Sequence, residues 1–359
     1  MILITISKIK NIFYYKNIYI KKMSCLDQRI YLVLNYPSQS QTKTLLTGIK
    51  QDTEDSSIYY ITGFIEENSN THKVKQITDK QSNYTTFVYK GNVSGKSISN
   101  IDNWHILKFP LSTNTNLYGP SIFKNSNIIR VVGNYTTVEG GSTLFGCLYQ
   151  GGLDGTGKWL TITPPKSIQT ICHSTMGNLI VGNFLVSNSQ NSKAFVYNIK
   201  TNKYLEIIKK GALSITAYGI WRNNKYNYTI CGGYSNLTST GTHIAFICNF
   251  DDKYEEFSNW QSYRYNNSKD LITHFEGISG NDEGYSLASD ATVNEKEIAS
   301  IAHIKRKKDG SFSSKAKWEV VEVPNMNISS SNSIAGTTVI GVATSNPNNV
   351  IDGFISILI

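Results

Sequence analysis

The stretch Ser214–Tyr265 reads as four short strands separated by Asn, Gly, Ser and Asp clusters. Strand a covers 214–221, strand b 228–232, strand c 243–250 and strand d 260–265. β-Branched and aromatic residues dominate each run, as a pleated, half-buried surface requires. A four-stranded sheet this narrow cannot bury both faces alone. It must stack on neighbours like itself, so the unit is expected to recur along the chain.

Degenerate copies are present. Strand b recurs as ITGF (61–64), VVGNY (131–135), IVGNF (180–184), ICGGY (230–234), SLASD (286–290) and VIGVA (339–343). Strand c recurs as TFVY (86–89), GCLY (146–149), AFVY (194–197), AFIC (245–248), IAHI (301–304) and GFIS (353–356). From the small residue of b to the core residue of c the distance is 14, 13, 14, 14 and 13 positions for Gly133, Gly182, Gly232, Ala288 and Gly341. Gly63 lies 24 positions from Phe87, which marks a loop insertion. Strand d carries a tryptophan six positions before a proline at Trp104, Trp159 and Trp318, with Tyr204 and Trp260 in the same role elsewhere. Proline donates no ladder bond and suits the exit of an outer edge strand.

The sixth copy ends after its strand c, at Ile359. The missing strand d lies at the other end, in IYLVLNYP (30–37), where Tyr31 stands six positions before Pro37. Pairing it with the final strand closes a ring and removes the unpaired edges. The expectation is therefore an all-β, six-bladed propeller of four-stranded antiparallel blades, the last completed by an N-terminal strand. The blades fall at 42–110, 114–165, 169–208, 213–265, 271–324 and 330–359 with 29–37. Each holds roughly 50 residues, the size of propeller repeats. Residues 29–359 form one domain in this reading, and 1–28 a basic extension that is disordered or precedes a true start at Met23.

YTICGGYS followed by AFICNF and Trp260 resembles kelch-type propeller repeats, and 195–207 resembles the same motif with Tyr204 in the tryptophan's place. The resemblance implies a propeller and, by analogy, binding or scaffolding. WD dipeptides and sialidase-type Asp boxes are absent, which counts against those two families.

The net charge of +9 does not announce a nucleic-acid binder. Five lysines before residue 23 supply +5, and Lys305-Arg306-Lys307-Lys308, in an expected c–d turn, accounts for the rest. No apolar run is long enough to cross a membrane. Of five cysteines, Cys147, Cys172, Cys231 and Cys248 fall in strands as small hydrophobes. Free buried thiols are expected, with a Cys231–Cys248 bridge as the alternative. Free thiols and the lack of a signal sequence favour a cytoplasmic protein or one assembled into a particle. The wealth of Asn, Lys, Ile and Tyr fits an AT-rich genome.

Strand a copies align on a glycine at 48, 119, 219, 277 and 336, with HSTM (173–176) in the third blade. One position before it lie Thr47, Tyr118, Thr175, Tyr218, Glu276 and Ala335. Three before it lie Leu45, Asn116, His173, Thr216, His274 and Ser333. Alternation puts these two sets on one face, which should look into the channel. Tyr118, His173, Thr175, Tyr218, His274 and Glu276 are thus the candidate binding residues. They either line a water-filled channel or form a site. Two imidazoles and a carboxylate can hold a divalent metal, with His173, His274 and Glu276 as its ligands. No HExxH, P-loop, GxSxG or CxxC pattern points to an enzyme. Tyr135, Phe184 and Tyr234 end their b strands as inter-blade core, whereas Asp290 reads as a turn cap or loop-facing contact.

Three functions follow. The first is a non-catalytic binding or scaffold propeller for a protein or glycan partner. The second is a metal-dependent hydrolase or lyase. The third is a structural component of a virion or other particle.

Overall fold

The structure, a computed structural model, describes residues 18–20, 29–37, 42–67, 84–236, 243–268, 271–293, 296–326, 328–345 and 350–358. Six antiparallel sheets form a ring, a six-bladed β-propeller. The a strands are Thr42–Gln51, Asn114–Ile122, Ser167–Met176, Ala212–Arg222, Thr273–Gly280 and Ile328–Ala335. In the first five blades strands b, c and d run outward from strand a in sequence order, and in the sixth b and c do.

Closure is by the N-terminal strand. Arg29–Val33 pairs with Val350–Leu358, Tyr31 opposite Ser356, and the Leu34 amide donates to the Gly353 carbonyl at 2.8 Å. Outside it Ile18–Ile20 adds a short antiparallel edge, Tyr19 opposite Tyr31. The rest of the expected N-terminal extension lies outside the described residues. Arg29 also ties the closing strand to blade five. Its Nε meets Glu319 Oε1 at 2.5 Å, and Glu319 Oε2 lies 3.2 Å from His303 Nε2. Burial alone would raise the Glu319 pKa, but the bonds from His303 and Arg29 outweigh it and bring the value down to about 2.

The tryptophan and tyrosine marks of strand d have a packing reason. Trp104, Trp159 and Tyr204 stand directly opposite Tyr89, Tyr149 and Tyr197 of strand c. Ring centroids there are 5.0, 4.9 and 4.5 Å apart. A large ring on the outermost strand shields the wide end of each wedge.

Between blades the core is apolar, and Tyr135, Phe184 and Tyr234 lie in it, each less than a tenth exposed. Cys147, Cys172, Cys231 and Cys248 are buried and free. Cys231 faces Ile247 and Cys248 faces Ile230, one step out of register. The two thiols consequently leave opposite faces of the sheet, Cys231 toward blade five and Cys248 toward blade three, and do not bridge.

Candidate functional site

Every a strand carries a β-bulge at its middle. The register slips between Leu46 and Gly48, Leu117 and Pro120, Cys172 and Ser174, Ala217 and Gly219, Phe275 and Gly277, and Ser331 and Ser333. The residue before each bulge (Leu46, Leu117, Cys172, Ala217, Phe275, Ser331) is fully buried between blades. The bulged residue itself is turned inward: Thr47, Tyr118, His173, Tyr218, Glu276 and Asn332 are all half-buried. Together they line a cavity of ≈ 200 Å³ on the ring axis.

The strand b glycines exist because of these bulges. A bulge swings the carbonyl of strand a across to strand b. A Cβ at Gly63, Gly133, Gly182, Gly232 or Gly341 would lie 2.3, 1.9, 2.1, 2.0 or 1.8 Å from that oxygen. Blade five has Ser289 there, opposite Phe275, and its hydroxyl is a buried polar atom without a partner. Ala288, expected in the glycine's place, is thus one position off.

Two of the sequence expectations change with the register. In blade three the bulged residue is His173, so it joins Tyr118, Tyr218 and Glu276 rather than sitting one layer above them. Thr175 is not in the ring. It lies past the bulge, buried, and its hydroxyl donates to the Leu179 carbonyl at 2.9 Å. In blade six the inward residue is Asn332, not Ala335. Serine follows the bulge in these two blades where the others have glycine, which hid the alignment.

Polar members of the ring latch blade to blade. The Thr47 hydroxyl donates to the Leu117 carbonyl at 2.5 Å, and the Asn332 amide to the Leu46 carbonyl at 2.6 Å. Tyr118, His173 and Tyr218 form an arc of rings instead, with centroids 5.3 and 4.7 Å apart. The arc continues upward, toward the face carrying the b–c and d–a connections, through His274, 6.1 Å from Tyr218.

His274 is central to that upper mouth. Its Nε2 lies 2.6 Å from His243 Nδ1, and its Nδ1 lies 3.4 Å from Glu276 Oε1. His173 Nε2 bonds Asn183 Oδ1 at 2.7 Å. Asp290, beside His274 on strand b, is neither a turn cap nor a loop contact. Its carboxyl meets Ser330 Oγ and the Ser331 amide, both at 2.6 Å, and so locks blade five to blade six. His243, Asn183 and Glu297 were missed because they come from b and c strands whose inward ends converge only once the ring closes.

Electrostatically the mouth is acidic, with Glu276 and Asp290 half-buried and Glu297 exposed. Burial, reinforced by the Glu276 charge, pushes the Asp290 carboxyl well above the usual range and raises Glu297 as well. Burial lifts Tyr118 to about 12 and raises Tyr218, with Glu276 adding to both. The imidazole of His173 is held neutral by burial, and His243 by burial and the neighbouring His274. Among the described residues no three His, Cys, Asp or Glu side chains are grouped closely enough to hold a metal ion.

No family model matches the sequence, and no curated protein does. Among solved structures, a protein of unknown function from Dyadobacter fermentans is similar over 91% of this chain and 97% of its own, at 11% identity and a TM-score of 0.54. The sialidase of Trypanosoma rangeli is similar over 95% of this chain and 57% of its own, at 9% identity and a TM-score of 0.50. An α-L-arabinofuranosidase of Fusarium graminearum is similar over 90% of this chain and 96% of its own, at 10% identity and a TM-score of 0.49. Identities this low show a shared fold and no shared chemistry. The propeller implied by the kelch resemblance is present, while kelch membership itself finds no match.

Proposed function

We propose that the chain is a non-catalytic binding propeller whose ligand is a neutral saccharide end group held at the upper mouth of the channel. The observation that carries this reading is the set of six bulges. They aim two tyrosines, a histidine, a glutamate, a threonine and an asparagine at one small axial cavity. Aromatic faces with a few convergent hydrogen-bonding groups suit a hydroxyl-rich ring of carbon. Glu276 and Asp290, both half-buried, disfavour an anionic sugar, because a further negative charge beside them would be unpaired.

Titration calorimetry against a panel of neutral, amino and acidic oligosaccharides tests this. Glu276→Gln should weaken the best neutral ligand about tenfold or more, the cost of replacing a charged acceptor in a buried hydrogen bond. Absence of saccharide binding across the panel, or unchanged affinity in Glu276→Gln, would refute it.

One observation favours a second reading, acid–base chemistry. A buried carboxyl group raised above the usual range suits a general acid. Burial raises the Asp290 carboxyl, which stands opposite His274, and His243 and His274 connect Glu276 to the upper surface. Turnover of a bound glycoside, abolished in Asp290→Asn, would establish this reading over simple binding.

A further inference from the structure

Below the bulge ring the channel widens again into a second cavity, of ≈ 260 Å³, toward the a–b turns. Its walls combine apolar side chains, Ile49, Met176, Ile220, Trp221 and Ile334 among them, with polar ones such as Ser174 and Ser333. Lys50 of blade one reaches across it, and its Nζ stands 4.8 Å from the centre of the Trp221 ring of blade four. Among the described residues Lys50 makes no hydrogen bond through its ammonium and no ion pair.

The two carboxylates bordering this cavity are already placed. Asp52 at the rim accepts the backbone amides of Glu54 and Asp55, at 2.8 and 3.3 Å. Glu276 reaches in from the ring, where it faces His274. Neither forms an ion pair with the amine. Desolvation by burial is what lowers Lys50, to about 8. A buried cation ordinarily comes with a buried partner. The Trp221 face supplies only part of one, since a ring quadrupole is weaker than a full charge.

We infer that the lower cavity is a second binding site, independent of the saccharide reading, which takes a small monoanionic carboxylate with an apolar body. The carboxylate pairs with Lys50, and the body lies against Trp221, Ile220 and Ile334. The charge count sets the class. One lysine balances one negative charge, and a dianion such as phosphate would leave an excess beside Glu276.

Benzoate is the probe, with benzamide as its neutral isostere and inorganic phosphate as the dianion, followed by calorimetry and by tryptophan emission. Benzoate should bind saturably and quench emission. Benzamide should bind at least tenfold more weakly, and Lys50→Met should weaken benzoate at least tenfold. Lys50→Met should also unfold at a higher denaturant concentration than wild type in the absence of any ligand, because it removes an unpaired buried charge. Saccharide affinity at the upper mouth should not change in this variant, which separates failure of one site from failure of the other. The inference falls if benzoate does not bind saturably, if Lys50→Met binds it as wild type does, or if phosphate is preferred.

Discussion

The dependence of the axial ring on the strand b glycines can be tested by adding one methyl group. In Gly182→Ala the new Cβ would sit 2.1 Å from the Ile171 carbonyl oxygen, 3.0 Å from Cys172 Cα and 3.0 Å from Phe195 Cε1. Carbon–oxygen contacts settle at about 3.3–3.6 Å, so the strands must part by more than an ångström or the bulge must flatten. The worst contact is backbone rather than a side-chain tip, so no rotamer change relieves it. Overpacking costs about 1–3 kcal/mol, and a clash of this kind belongs at the upper end. We expect a loss of about 3 kcal/mol, read as a lower urea midpoint with little change in slope. Gly95→Ala is the control: its Cβ meets nothing within 4 Å, and its stability should stay within about 0.5 kcal/mol of wild type. Flattening the bulge also withdraws His173 from the axis, so ligand affinity should fall with stability. If Gly182→Ala were as stable as Gly95→Ala, the argument that the bulges demand these glycines would be wrong.

Two further predictions concern the joints between blades. Glu319, with a folded pKa of about 2 against 4.5 for an unperturbed glutamate side chain, stabilises the fold above the unfolded value and loses that contribution as pH falls toward 2. The difference corresponds to about 3 kcal/mol. Glu319→Gln should be less stable at pH 7 by up to that amount, and its melts should flatten between pH 5 and 2 where those of wild type fall. Asp290 is the opposite case. Its folded pKa is raised, so wild type should lose stability as pH rises from the unfolded value through the folded one. Asp290→Asn should lack that slope, and chemical melts from pH 4 to 8 would show it.

Much of this fold is written locally. The b–c spacing, the rings opposite Trp104, Trp159 and Tyr204 and the proline exits are set by residues close in sequence. Tyr204 was legible as a stand-in for tryptophan from its place in 195–207, and it faces Tyr197, only seven positions before it. The closing strand was legible because IYLVLNYP repeats a mark seen three times elsewhere. Blade three of the site was misread for a definite reason. A bulge inserts one residue into one strand and reverses the alternation beyond it, so counting from the glycine after the bulge fails where serine replaces it. Counting from the strand b glycine would have succeeded. Gly182 faces Cys172 and Gly341 faces Ser331, which makes His173 and Asn332 the bulged residues.

The sequence alone determined that six similar sheets must stack and that an early strand must complete the last, since apolar alternation and turn residues act over a few positions. Which side chains meet at the axis was decided only by tertiary structure. His243 and His274 are 31 positions apart, and Asp290 and Ser330 are 40. Each pair joins different blades, and ring closure alone brings such residues within a hydrogen bond of each other. The acidity of the upper mouth and the solitary Lys50 below it arise in the same way, from the water that closure excludes rather than from any residue's own chemistry.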